Sequence, residues 1–375
     1  MKVEKTAPRL MCIDALRGLD MFFLIGLAPI VSALYSFWDA PQAFRFQWTH
    51  VDWEGFTMWD LVMPLFLFTS GIAMPFSHAA SHSGKQVFVR ALKRVCLLWF
   101  WGMVVQGNLR AMDASRLYLF SNTLQAIAAG YVLSLIPVLK LKWRGHLIYA
   151  LSLLVVFWAA MQWISVQGFG GGDWSSEKNL AEGIDRLVLG RWRDQATLGD
   201  NGQVIFSPTY AYTWILSSLG FAATVMLGVL AGDILRSALA PWRRVAVFVL
   251  AGIVCAGGGW ALHGLGVPVI KHIFSSSMVL VAAGYSFLLL AVFYVYCDIL
   301  QLRRGMGVFL LFGQNALLLY IVGEICDFRP CVGDFVFGLE HYITTAYPLL
   351  VTAGHVGILI AIAWVCKRFN WFLRA

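Results

Sequence analysis

Of 375 residues, 59% are apolar and only 13% charged, with a mean hydropathy of +0.72; soluble domains carry about a quarter charged residues, so water is excluded as the solvent for most of this surface. The 16 Trp, 12 Tyr and 27 Phe agree, because amphipathic rings collect where hydrocarbon meets headgroups. The formal charge of +8 resides in short loops, and no basic run with interleaved aromatics lies outside them, which excludes a nucleic-acid partner.

A spanning helix needs about 20 mostly apolar residues. In chain order the segments that meet this are 19–37, 57–77, 91–107, 122–139, 146–166, 212–236, 243–263, 274–298, 306–324 and 346–366. The fold class is therefore an all-α polytopic membrane protein of about ten transmembrane helices, embedded in the lipid bilayer. One long connection, 167–211, contains GGGDW and the turn-prone LGDNGQ and reads as a surface excursion serving as lid or entry wall. No tandem repeat of short period, low-complexity stretch or long linker interrupts the chain, so 1–375 reads as a single membrane domain.

Basic residues fall in alternate loops: Lys2, Lys5, Arg9 and Arg17; then Lys85, Arg90, Lys93 and Arg94; then Lys140, Lys142 and Arg144; then Arg236, Arg243 and Arg244; then Arg303 and Arg304; and finally Lys367, Arg368 and Arg374. The intervening loops are poorer in cations or mix them with acids such as Asp39, Asp52, Glu54, Asp327, Asp334 and Glu340. This alternation predicts cytoplasmic N- and C-termini and an extracytoplasmic 167–211 loop. Asp14, Arg17 and Asp20 crowd the start of the first apolar run, and removing it as a signal peptide would reverse the bias of every later loop, so it is read as a helix.

Seven Cys include no CxxC and no Cys/His cluster at ligand spacing, so no metal site is expected. Cys326 and Cys331 share a polar loop read as extracytoplasmic, where a disulfide could persist. The segment Gln47 to Asp60 stands out, packing His50, Asp52, Glu54 and three Trp against the outer end of the second helix. Asp60 falls about one turn inside that helix, a costly depth for an ionisable group unless it faces a partner or a wet cavity. His50 suits proton transfer or transient acylation, and neighbouring carboxylates can hold one tautomer. Other polar residues at membrane depth are Arg17, Asp20, Asn122, Gln125, Gln314, Asn315 and Glu324, with Lys271, His272 and Ser275 to Ser277 at the outer start of the eighth helix. Ser and Asn there commonly serve packing. Lys271 is a lone cation in a short loop and suited to receive an anionic group.

Arg9-Leu-Met-Cys-Ile-Asp-Ala-Leu-Arg-Gly18, the His50-to-Asp60 stretch continuing to Gly71, and Gly313-Gln-Asn-Ala-Leu-Leu-Leu-Tyr320 resemble the membrane acetyltransferases typified by heparan-α-glucosaminide N-acetyltransferase, in particular a bacterial branch long classed as a domain of unknown function. Leu124 to Tyr131, Met226 to Leu235 and Pro268 to Ser277 carry further similarity. The resemblance implies acetyl-CoA as donor on the cytoplasmic side, a saccharide amine or hydroxyl as acceptor on the far side, a bacterial inner (cytoplasmic) membrane and a homodimer. Its active-site histidine matches His50 and its helix-two aspartate matches Asp60; lysosomal members carry an asparagine late in the first helix where this chain has Ala28, so acceptor contacts need not be shared.

On that basis His50 is the catalytic histidine, Asp60 or Asp52 orients its ring, and Arg17 with Arg90 or Arg94 holds the CoA phosphates. Glu54, Gln125, Lys271, Ser275 and Asn315 form the substrate-binding set, with Asn315, Gln125 or Lys271 stabilising the oxyanion or placing the acceptor. His50 acts either as general base or as a nucleophile that becomes acetyl-imidazole; the residues leave both open. The rival reading is a transporter or flippase of a saccharide or lipid-linked sugar, to which Gly26, Pro29 and Pro64 would lend broken helices, although no paired interrupted helices occur in two matching halves.

Overall fold

The computed structural model describes residues 10–36, 38–79, 84–107, 109, 113, 117–208 and 212–373. Lys2, Lys5, Arg9 and Arg374 of the charge pattern lie outside the described residues, as does the side chain of Lys85. In chain order the helices are α1 (Met11–Phe22), α2 (Ala28–Leu34), α3 (Gln42–Gln47), α4 (Val62–Ala79), α5 (Gly84–Val105), α6 (Thr123–Lys140), α7 (Trp143–Trp163), α8 (Leu180–Leu189), α9 (Ser218–Arg236), α10 (Pro241–Gly264), α11 (Ser276–Tyr294), α12 (Gly307–Gln314), α13 (Ala316–Ile325), α14 (Arg329–Phe335) and α15 (Tyr347–Arg368). Two short antiparallel hairpins, β1 (Ser165–Val166) with β2 (Phe169–Gly170) and β3 (Ala196–Leu198) with β4 (Val204–Phe206), lie in the long connection. The chain divides into two compact units, residues 1–39, 241–246 and 288–374, and residues 40–240 and 247–287.

Eight helices among the described residues are long and apolar enough to cross a membrane: Met11–Leu34, Met58–Ser77, Thr123–Lys140, Trp143–Trp163, Ser218–Arg236, Pro241–Gly264, Ser276–Ile299 and Tyr347–Arg368. The bent pair α12 and α13 makes a ninth if counted as one span. The protein is thus an all-α polytopic membrane protein, and all ten predicted segments are wholly or mainly helical. The third, predicted at 91–107, falls on α5 up to its end at Val105, and Arg90, Lys93 and Arg94 occupy the helix's first half. Beyond them the apolar part is about 16 Å long at 1.5 Å per residue, short of the hydrocarbon thickness.

In the first unit, α1 begins at Met11 rather than near residue 19, because the Asp298 carboxylate accepts the Met11 and Cys12 N–H groups at 3.1 and 2.9 Å. A carboxylate on otherwise unpaired N-terminal amides caps a helix, and here it comes from the far end of the chain. The helix widens to a π-turn over Phe23–Leu27 before Pro29, whose missing N–H would otherwise break the ladder. α1 meets α12 backbone to backbone: a Cβ on Gly18 would lie 1.6 Å from the Phe309 carbonyl oxygen. The predicted helix 306–324 is instead broken by 86° between α12 and α13. Asn315 stands at the break and donates its side-chain amide to the Trp371 carbonyl at 3.0 Å, a bond outside the helix ladder. Cys326 and Cys331 are free thiols.

In the second unit α9 is the central helix, packed by α4, α6 and α7. Gly71 and Gly228 allow α4 and α9 to touch, since a Cβ on either would sit 2.0 Å from a carbonyl oxygen of the other helix. The connection predicted as a lid carries its own structure, β1 to β4 and α8, and shares a buried cluster of Phe157, Met161, Leu180, Ala181, Ile270 and Ile273 with the ends of its neighbours. Helix α9 starts at Ser218, so residues 212–217, predicted as helix, instead form a turn-rich wall.

Candidate active site

The stretch 48–61 is pinned at both ends by its own side chains. Thr57 caps the 3-10 turn Met58–Leu61 in a reciprocal box with Asp60: the Thr57 N–H donates to Asp60 Oδ2 at 3.0 Å. The Thr57 hydroxyl donates to the Thr49 carbonyl at 2.8 Å and also lies 2.9 Å from Asp60 Oδ2. Gln47 Oε1 accepts the Met58 N–H. Gly55, at φ +127°, turns the chain so that its N–H donates to the Val269 carbonyl at 2.8 Å, and Glu54 pairs with Ile270 as an antiparallel bridge. That bridge brings the 267–277 segment to the His50 loop.

The segment is itself folded by its serines. Ser275 and Ser277 hydroxyls donate to the Pro268 carbonyl at 2.8 and 2.7 Å, and Ser275 Oγ accepts the Ile270 N–H at 3.0 Å. Lys271 stands at the turn between them.

His50 Nδ1 is 2.7 Å from Asp60 Oδ1, and Lys271 Nζ is 3.3 Å from the same oxygen. Lys271 Nζ also lies 3.0 Å from His50 Nδ1 and 3.5 Å from Nε2. Asp60 is 1% exposed, whereas the His50 side chain is 43% exposed. An ionised carboxylate only accepts, so in the neutral ring Nδ1 carries the proton and donates it to Asp60, and Lys271 does not donate to Nδ1. The lone pair of this half-exposed ring is then on Nε2, with an ammonium 3.5 Å away. Burial pulls the Lys271 ammonium down to about 8, and Asp60 opposes that shift.

A second imidazole lines the site. His272 stacks on Trp53 with ring centroids 5.4 Å apart and meets Tyr212 at 4.2 Å. Burial, then the charges of Lys271 and His50, push His272 down to about 4, so it is neutral near neutral pH. Burial and the Asp60 carboxylate raise the Tyr212 hydroxyl well above its ordinary range. The wall 212–217 is stitched on both sides. Thr213 N–H donates to the His272 carbonyl at 3.1 Å and Ser217 Oγ to the Ile273 carbonyl at 2.9 Å. Asp185 of α8 accepts the Trp214 and Ile215 N–H groups at 2.8 and 2.9 Å. Fully buried Arg193 bonds Glu182, the Asp194 carbonyl at 2.8 Å and the Tyr212 carbonyl at 3.4 Å. Burial raises the Asp185 carboxyl to about 7 despite those two amides.

The predicted site residues thus separate. His50, Asp60 and Lys271 meet within 3.5 Å. Asp52 and Glu54 are exposed; no described contact joins Asp52 to His50, although its charge is felt at His272. Gln125 is fully buried, its Oε1 accepting the Ser121 N–H at 2.7 Å and its Nε2 donating to the Leu119 carbonyl, which shapes the loop before α6. Ser275 likewise holds its own loop. Arg94 lies over the Tyr131 ring at 4.6 Å, and exposed Arg90 bonds the Gln86 carbonyl within α5. Arg17 and Asn315 belong to the other unit. Sequence reasoning missed Thr57, Tyr212, Asp185 and Arg193; Thr57 was legible as the first residue of a T-x-x-D capping pattern, the others not.

Comparison with known families finds a match over residues 9–170 to the family described as heparan-alpha-glucosaminide N-acetyltransferase, catalytic. No curated protein matches the chain. The family match agrees with the resemblance read from the sequence; the matched residues 9–170 include His50 and Asp60, while Tyr212, Lys271 and His272 lie beyond the match.

Proposed function

Since residues 9–170 match a membrane acetyltransferase family, we propose that this protein moves an acetyl group from cytoplasmic acetyl-CoA to an amine or hydroxyl of an extracytoplasmic saccharide. The observation that carries the reading is the His50 and Asp60 pair at 2.7 Å, with the His50 ring partly exposed and Lys271 alongside. Nε2 takes the proton of the acceptor as its amine or hydroxyl attacks the thioester carbonyl, and the buried Asp60 carboxylate stabilises the imidazolium that results. Negative charge growing on the carbonyl oxygen is met by the Lys271 ammonium. The cations proposed for the CoA phosphates are Arg17 in the first unit and Arg90 or Arg94 in the second. The charge alternation supports that orientation, with His50 on the side opposite the acetyl-CoA pool.

The test is transfer of radiolabelled acetyl from acetyl-CoA to glucosamine in proteoliposomes. His50→Ala is expected to abolish it, and retained turnover would overturn the assignment. Saccharide flux in the absence of CoA would favour a carrier instead.

A further inference from the structure

We infer that Lys271 is itself an acetylation site: when the site holds an acetyl thioester and no sugar, Lys271 Nζ takes the acetyl group and the enzyme silences itself. The inference rests on the acetyltransferase reading above and adds a second acceptor to the same centre.

Lys271 Nζ lies 3.0 and 3.5 Å from the two ring nitrogens of His50. At 3.5 Å from Nε2, Nζ stands where an acceptor amine sharing its proton with that nitrogen would stand, so a thioester carbonyl placed for attack by such an acceptor, at about 3–3.5 Å, is within reach of Nζ. The side chain cannot swing away easily. It is 7% exposed, its loop is tied down by the bridge at Ile270 and by Ser275, and Asp60 Oδ1 holds its head at 3.3 Å. The groups facing it are Asp60, His50 and the neutral His272, whose ring in turn packs on Tyr212. Burial that pulls the ammonium down to about 8 leaves roughly a tenth of it as free amine at neutral pH, against far less for an exposed lysine.

The step balances without another reagent. The free amine attacks the acetyl carbonyl carbon, a C–N bond forms and the C–S bond breaks. One amine proton passes to His50 Nε2 and from there to the departing thiolate. The products are Nε-acetyl-lysine at 271 and the CoA thiol. The amide carries no charge, so Asp60 loses the cation beside it and the growing oxyanion loses its counter-charge. A sugar in the site intercepts the acetyl group first, so the enzyme stays active while acceptor is present and shuts down without it.

The experiment incubates the full chain in proteoliposomes with acetyl-CoA alone and follows peptide masses at Lys271 and at Lys178 and Lys142, which are exposed and report background chemistry. Lys271, though buried, is expected to be acetylated about tenfold faster than Lys178, as a positioned amine should be. Glucosamine is expected to slow this, and His50→Ala to stop it while Lys178 is unaffected. Transfer activity should fall in step with Lys271 occupancy, and should hold when glucosamine is present from the start of the incubation. Lys271 unmodified, or modified no faster than Lys178, in a preparation that acetylates glucosamine would overturn the inference and leave the acetyltransferase reading standing. Acetylation of neither glucosamine nor Lys271 would overturn both.

Discussion

Replacing Asp60 with Asn removes one charge from the centre and almost no volume. The amide oxygen can still accept from His50 Nδ1, so the ring orientation is partly kept. Two things are lost: the charge-assisted part of the 2.7 Å hydrogen bond and the anion 3.3 Å from Lys271 Nζ. Hydrogen bonds to charged groups are worth about 1.5–3 kcal/mol, and a pair of unit charges at about 4 Å interacts by about 4 kcal/mol at an effective dielectric of about 20. Both act most strongly on the imidazolium formed during transfer. A differential loss of about 2–4 kcal/mol lowers kcat roughly 30- to 900-fold. The pH profile should move as well. Asp60 opposes the fall of the Lys271 ammonium to about 8, so without it the ammonium titrates lower still and any alkaline limb carried by Lys271 shifts to lower pH. The assay is initial-rate acetyl transfer in proteoliposomes across pH, with size-exclusion profiles showing that the variant is folded. A folded Asp60→Asn enzyme with kcat within twofold of the parent and an unmoved alkaline limb would refute the reasoning.

Lys271→Met should lower kcat about a hundredfold at neutral pH, as loss of an oxyanion donor does, and should erase the decline expected as Lys271 loses its proton near pH 8; rates across pH decide it. Asp185 is raised to about 7 in the fold, from about 3.9 unfolded, so the native state binds the extra proton between those values. Stability therefore falls as pH rises through that window, by on the order of 4 kcal/mol; in Asp185→Asn this slope should be missing from thermal unfolding midpoints followed from acid to neutral pH. Gly228→Ala sets a Cβ 2.0 Å from the Phe68 carbonyl oxygen, a rigid backbone atom, and should destabilise the α4–α9 contact by about 1–3 kcal/mol, seen as a lower unfolding temperature in detergent.

The sequence by itself determined that this is a helical membrane protein and where its long apolar helices fall, and it singled out His50 and Asp60 as the pair to look at. Those features are local: apolar length, charge at helix ends, and a histidine ten residues before an acid that closes its own T-x-x-D turn. Tertiary structure decided the rest. Lys271 meets His50 across 221 residues only because Glu54 bridges to Ile270. Asp298 sets the start of α1 from 287 residues away, and the Glu182–Arg193 ion pair together with the backbone bonds of Asp185 holds the Tyr212 wall. Residues such as Gln125 and Ser275, chemically eligible for the site, turn out to satisfy buried backbone groups instead. The physical reason is that hydropathy and capping act over a few residues of chain, whereas which polar side chain faces a substrate and which closes a loop depends on what packing brings beside it.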